Sequence, residues 1–184
     1  MKYKICVSGS AETKVCSVGS KEKTVKLGEE IVRQDGVLVT GATTGAPFWA
    51  AIGAKKAKGF SIGFSPAYTE LEHVKKYRLP TNNFDIIVYT GFGYSGRNLI
   101  LTRSSDAVII VCGRMGTLNE FTIAFEDRKP IGVLTGTGGT ADKVEEIVKS
   151  AKRGLGKIVY SDDPKELVKK VIELIKKEKK RTKK

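Results

Sequence analysis

Residues 107–120 read Ala-Val-Ile-Ile-Val-Cys-Gly-Arg-Met-Gly-Thr-Leu-Asn-Glu. The first six, Ala107–Cys112, form an apolar run without polar alternation, as expected of a strand buried on both faces. Two glycines then interrupt the chain. Beyond them Leu118, Phe121, Thr122 and Phe125 fall at i, i+3, i+4 and i+7, the spacing of one helical face. A buried strand that turns through glycine into a helix is the repeating unit of an α/β fold.

The same unit recurs on either side. Strands are expected at Ile5–Gly9, Val37–Thr40, Phe60–Phe64, Ile86–Tyr89, Ile131–Leu134 and Lys157–Tyr160, mostly Val- and Ile-rich. Between them, Leu27, Ile31 and Val32 share a face after Ser20. Pro47 stands at a first helical position before Trp49–Lys58, and Leu167, Val168, Val171, Ile172 and Ile175 share a face after Asp163-Pro164. The expectation is an α/β, Rossmann-like, doubly wound parallel sheet of about seven strands with helices on both faces. Residues 1–175 read as one domain and 176–184 as a basic tail. The connection Ser65–Asp85 is longer than usual and carries a helical stretch around Thr69–Tyr77, which suggests a flap over a site.

The chain has 184 residues, with 33 Lys plus Arg against 20 Asp plus Glu, a formal net charge of +13. Residues 176–184 hold seven bases and one acid, so +6 sits on this tail and +7 on the rest. No aromatic side chains interleave the tail's bases, so a solvated helix end is favoured over a nucleic-acid platform. No apolar run approaches the ~18 residues of a membrane span or an export segment. Cys6, Cys16 and Cys112 are odd in number and contain no C-x-x-C pair, and His73 is the sole histidine, so no metal cluster is expected. The expected setting is a reducing cytoplasm with unpaired thiols, and no partner membrane.

In an open α/β sheet, ligands bind beyond the carboxyl ends of the strands, where strand order reverses. Four loops leaving those ends are rich in small residues: Ser8–Thr13, Thr40–Pro47, Thr90–Asn98 and Gly113–Glu120. Glycines let a backbone approach a ligand, and free N–H groups at a helix start attract phosphate or carboxylate. An anion-binding crevice follows. Candidate phosphate- or nucleotide-binding residues are Gly9, Ser10, Gly41, Thr43, Thr44, Gly45, Asn98, Gly113, Arg114, Met115, Gly116 and Thr117. The pattern G-x-x-x-x-G-K-[ST] does not occur at these turns, which argues against P-loop ATPases. Thr117-Leu118-Asn119-Glu120 has two readings: a T-x-x-E capping box, or ligand donors backed by a carboxylate.

Gly96-Arg97-Asn98, then Arg103-Ser104-Ser105-Asp106-Ala107-Val108-Ile109, then Gly113–Glu120 resemble the superfamily that contains the LOG-type phosphoribohydrolases and the molybdenum-cofactor carrier proteins. Many of its members carry the misleading label of possible lysine decarboxylase. Its motif is P-G-G-x-G-T-x-x-E, preceded by an Arg-Lys or Arg-Asn pair. The likeness extends from Ile5 to about Leu134. In the phosphoribohydrolases the equivalent Arg and Glu take part in cleaving the N-glycosidic bond of a nucleoside 5′-monophosphate. Carried over, the catalytic pair is Arg97 and Glu120. The resemblance implies a phosphorylated small-molecule ligand, no cofactor, no metal, and a homodimer or larger even assembly. It also leaves a non-catalytic carrier or sensor of a phosphorylated cofactor, such as molybdenum cofactor, as the alternative. Two departures stand out: Cys112 takes the place of the motif's Pro, and Arg114 that of its second Gly.

Other features read as structural. Gly136–Thr140 is expected to be a turn, His73 a solvated side chain, and Cys112 a small buried one. Phe92 and Tyr94 suit either a stacked ring or a covered sheet edge.

Overall fold

The computed structural model describes residues 1–181. Seven strands lie in chain order: β1 (Tyr3–Gly9), β2 (Gly36–Thr40), β3 (Ser61–Ser65), β4 (Ile86–Tyr89), β5 (Ala107–Val111), β6 (Ile131–Leu134) and β7 (Ile158–Ser161). They form one parallel sheet in the order β4-β3-β2-β1-β5-β6-β7. The helices are α1 (Ser20–Arg33), α2 (Ala46–Lys56), α3 (Glu70–Lys75), α4 (Gly93–Ser104), α5 (Met115–Glu126), α6 (Val144–Ala151) and α7 (Pro164–Arg181). The expected doubly wound architecture is therefore present. The basic tail expected at 176–184 is seen as helix as far as Arg181, and residues 182–184 lie outside the described residues.

Alternation along β5 builds the two cores. Ala107, Ile109 and Val111 face one side with Leu27 and Ile31 of α1, the alanines of α2, and Leu167, Val168 and Val171 of α7. Val108 and Ile110 face the other with Leu101 of α4, Phe121 and Ala124 of α5, and Val144 and Val148 of α6. All five β5 residues are buried, so the run carries no polar position. On α5 the apolar face differs in detail: Ala124 is buried where Thr122 was expected, and Thr122 is exposed. Helices α1 and α2 touch backbone to backbone. A Cβ on Gly28 would lie 2.0 Å from the Ala50 carbonyl oxygen, so only glycine permits this crossing.

The sheet edge departs from the expectation of strands buried on both faces. Among the described residues strand β4 pairs only with β3, and Ile86 and Val88 are 49% and 38% exposed. Strand β3 starts at Ser61, and Phe60, expected inside it, is 45% exposed.

The segment Ser65–Asp85 is no flap. It packs against β4 and the chain leaving it, with Gly91 N donating to Ala67 O at 2.9 Å and Gly93 N to Pro66 O at 3.1 Å. That packing also corrects the reading of His73, which is fully buried. Its Nε2 donates to the Pro80 carbonyl at 3.0 Å, while Nδ1 meets Ser65 Oγ at 2.8 Å. Its ring packs edge-on against Tyr89 at 5.9 Å. A polar ring so satisfied at both nitrogens is a packing element.

The cysteine reading is also corrected. Cys16 and Cys112 are joined by a disulfide, Cα–Cα 5.2 Å and 96 residues apart in sequence, and Cys6 alone is free and buried. Parity and spacing could not reveal this pair, because the fold brings the β1 loop against the end of β5.

Candidate functional site

The strand order reverses between β1 and β5, whose carboxyl ends meet in register at Gly9 and Val111. Chain leaving β1 turns toward one face and chain leaving β5 toward the other, so a gap opens between the two loops. A crevice of about 340 Å³ lies there, within the size range of small-molecule sites.

Its floor is a buried ion pair. Glu120, one turn into α5, and Arg97, one turn into α4, are each 5% exposed. Arg97 Nη1 donates to Glu120 Oε1 at 3.2 Å, and Ser8 Oγ on β1 donates to Glu120 Oε2 in a short contact. Asn98 is best satisfied with its amide nitrogen toward Glu120 Oε1 and the Tyr94 carbonyl, each at 2.9 Å. Burial pushes the Glu120 carboxyl above the ordinary carboxylate range, against the opposing pull of Arg97 and Ser8. The same burial, with Glu120 nearby, raises the thiol of Cys6 below the floor.

Arg97 is seated by an absence of side chain on β2's exit loop. A Cβ on Gly41 would lie 1.9 Å from Arg97 Nη1, so the guanidinium packs directly against the Gly41 backbone. Its Cζ lies 5.8 Å from the centre of the Tyr94 ring, and Tyr77 meets that ring edge-on at 5.5 Å. Among the described residues the buried Nε of Arg97 has no hydrogen-bond partner, so the fork is not saturated by them.

The wall opposite is the start of α5. Arg114 is the N-cap residue, makes no side-chain cap, and exposes its side chain to the crevice. Gly116 and Thr117 in the first turn line the same space, where helical N–H groups lack intrahelical acceptors. The Thr117–Glu120 capping box does not form: the helix already begins at Met115, and Glu120 is drawn inward to Ser8 and Arg97.

Of the residues singled out from sequence, Gly9, Ser10, Gly41, Thr43, Arg97, Asn98, Arg114, Gly116, Thr117 and Glu120 come together on this crevice. Four do not line it. Thr44 is exposed and donates to the Ala11 carbonyl at 3.3 Å. Gly45 packs on the Ser10–Ala11 backbone, Gly113 packs under Thr117, and Met115 is 76% exposed. Sequence reasoning missed Val7, Ser8, Ala11 and Pro47, and left Tyr94 undecided. Ser8 had a usable signal: a hydroxyl near the carboxyl end of a buried strand needs a polar partner.

The glycine-rich turn Gly136–Thr140 is structural, as expected. Asp142 accepts from Gly136 N at 2.7 Å and Gly138 N at 2.9 Å, while Thr137 Oγ1 accepts from Cys112 N at 2.9 Å. Those donors are consumed within the protein.

Among the described residues no group of three His, Cys, Asp or Glu is placed to hold a metal ion, and no helix is long and apolar enough to cross a membrane.

Residues 2–168 match the SLOG cluster4 family, and the chain belongs to it. A protein of Archaeoglobus fulgidus described only as uncharacterized is 32% identical over 131 residues, 71% of this chain and 78% of its own. Among solved structures, a molybdenum cofactor binding protein from Rippkaea orientalis is similar with 30% identity, TM-score 0.74, and 96% and 97% of the two chains covered. The molybdenum cofactor carrier protein of Chlamydomonas reinhardtii is similar with 28% identity, TM-score 0.76, and coverage of 95% and 99%.

Proposed function

We propose, from membership of the SLOG cluster4 family, that the crevice between β1 and β5 binds a phosphorylated nucleotide-like or pterin-like small molecule and that the chain acts as its carrier. One observation carries this reading: the start of α5, Arg114 and Arg97 border a single crevice. First-turn N–H groups and the helix dipole favour an anion there, and guanidinium groups add charge-assisted hydrogen bonds. Arg114, in place of a motif glycine, adds a positive charge where the glycine would offer only backbone.

The carrier role is supported by the engagement of Glu120. Both its oxygens are held by the protein, by Ser8 on one side and Arg97 on the other. A carboxylate so held serves to fix the arginine. The similar proteins named for molybdenum cofactor binding and carriage add weight to a pterin phosphate as cargo. Thermal unfolding with 5′-AMP, a pterin phosphate and inorganic phosphate tests the proposal. A ligand at 100 times its dissociation constant adds about 2.7 kcal/mol, and no shift with any of the three rejects it.

A second reading rests on the Glu120 carboxyl itself. Burial raises it, and it lines the crevice beside Arg97, the environment of a general acid for N-glycosidic cleavage. Incubation with AMP or a cytokinin riboside monophosphate, followed by chromatography for free base, separates the two. The carrier reading expects no base; base that disappears with Glu120→Gln favours hydrolysis.

A further inference from the structure

We infer that Cys16 and Cys112 form a thiol–disulfide exchange site through which a dithiol reductant loosens the crevice and weakens its hold on an anion. The loss of affinity rests on the proposed function, whereas the exchange site stands on its own geometry.

The bond crosses the switch point. Cys16 belongs to the loop leaving β1, whose Ser10 and Ala11 line the crevice, and Cys112 immediately precedes the turn that carries Arg114, Gly116 and Thr117. It therefore staples together the two loops that form the crevice walls. The Ser8–Glu120 contact joins the same two loops at their base, and the disulfide ties them farther along the chain leaving β1. Residues 11–19 are all exposed or half-buried, and the 3-10 turn Thr13–Val15 buries no residue. Contacts within that turn are local: Cys16 N donates to Thr13 O at 3.0 Å, and Glu12 accepts from Lys14 N at 3.4 Å. Cys16 packs against the core cluster that contains Cys112, and its backbone bridges to Gly138. Ser17 N donates to Thr137 O at 3.0 Å just beyond it.

The two sulfurs are unequal. Cys16 is half-buried within a loop of exposed residues, whereas Cys112 is fully buried. An incoming thiolate attacks Cys16 Sγ, forms a mixed disulfide there and expels Cys112 as thiolate. The reductant's second thiolate then attacks its own sulfur in the mixed disulfide and expels the Cys16 thiolate. Both leaving thiolates take protons, the reductant departs as a disulfide, and two electrons have passed to the protein. Cys6 does not compete, because it is buried and burial holds it as the thiol.

Once the bond is open, the loop at 11–19 loses its covalent tie to β5 and its side-chain anchor in the core. Alkylation with iodoacetamide, read by intact and peptide mass, tests the exchange site on the full chain. Oxidised protein should take no label, and protein treated with dithiothreitol should take label at Cys16 and Cys112 with Cys6 unlabelled until unfolded. Label at both without reductant overturns the bond. Amide hydrogen exchange reads the clasp: residues 11–19 should exchange about tenfold faster after reduction while β1 and β5 stay protected, and unchanged exchange overturns it. Calorimetry with 5′-AMP reads the coupling, with about tenfold weaker binding expected for the reduced protein and for Cys16→Ser/Cys112→Ser. Equal affinity in both redox states overturns the coupling. If neither form binds any of 5′-AMP, a pterin phosphate or phosphate, the proposed function fails and the affinity claim with it, while labelling and exchange still decide the site.

Discussion

The chain contains two Thr-x-x-Glu stretches at helix starts, Thr69–Glu72 and Thr117–Glu120, and they have opposite fates. At the first, Thr69 is the N-cap of α3, its Oγ1 accepts from Glu72 N at 3.2 Å, and Glu72 reaches back to Tyr68 N at 2.9 Å. At the second the N-cap is Arg114, three residues before Thr117, and the glutamate turns away from the backbone to Ser8 and Arg97. Local pattern is the same, but the surroundings differ. Glu72 sits near solvent, where capping is the best use of its oxygens. Glu120 sits at the reversal of strand order, where strand β1 and helix α4 offer it a hydroxyl and a guanidinium. A capping motif thus reports a helix start only when no buried partner competes for the carboxylate.

The largest expected effect comes from removing the buried partner. Arg97→Met leaves Glu120 buried without its counter-charge and should cost about 3–5 kcal/mol in urea denaturation. Lys76→Met, which removes the exposed partner of Glu72 at 2.7 Å, should leave the midpoint unchanged. Equal effects would erase the distinction between the two regions. Gly41→Ala comes next: its methyl displaces the Arg97 guanidinium, and the expected cost is about 1–3 kcal/mol together with weaker anion binding. Wild-type stability and binding would show that Arg97 is not seated on that backbone. Thr69→Ala should lose about 1 kcal/mol with the cap, whereas Thr117→Ala removes no cap and should act on ligand affinity.

The smallest effect carries the sharpest sign. Lys76 and the Tyr68 N–H hold Glu72 below its ordinary value, so its contribution to stability is present above the unfolded range and is lost as pH falls through the folded value. Burial holds Glu120 above its ordinary value, so its contribution is complete below the unfolded range, about pH 4.3, and is lost as pH rises toward the folded value. Carbon-13 titration of the two side-chain carboxyls should place their midpoints on opposite sides of the unfolded range. Both midpoints on the same side would contradict the contrast.

Legibility followed sequence distance. The β5 run and the helix after it could be read directly, since a strand buried on both faces must be apolar throughout and a helix repeats its face every few residues. Most candidate residues were legible for the same reason, because loops at strand carboxyl ends are the places where small residues and helix starts meet a ligand. The pairs that complete the site were not. Ser8 and Glu120 are 112 residues apart and Cys16 and Cys112 are 96 apart, so both depend on β1 and β5 being neighbours, which no local pattern encodes. His73 was misread because the polar residues around it belong to the outer face of α3, while packing against β4 buries the ring.

The central claim is that Arg114 and the start of α5 hold an anion in the crevice at the switch point. Isothermal titration of a pterin phosphate and of 5′-AMP into the oxidised protein and into Arg114→Ala tests it most directly. The account predicts one site per chain for at least one ligand, with affinity falling about tenfold or more in the variant. Absence of binding heat, or equal affinity in the two proteins, would contradict it.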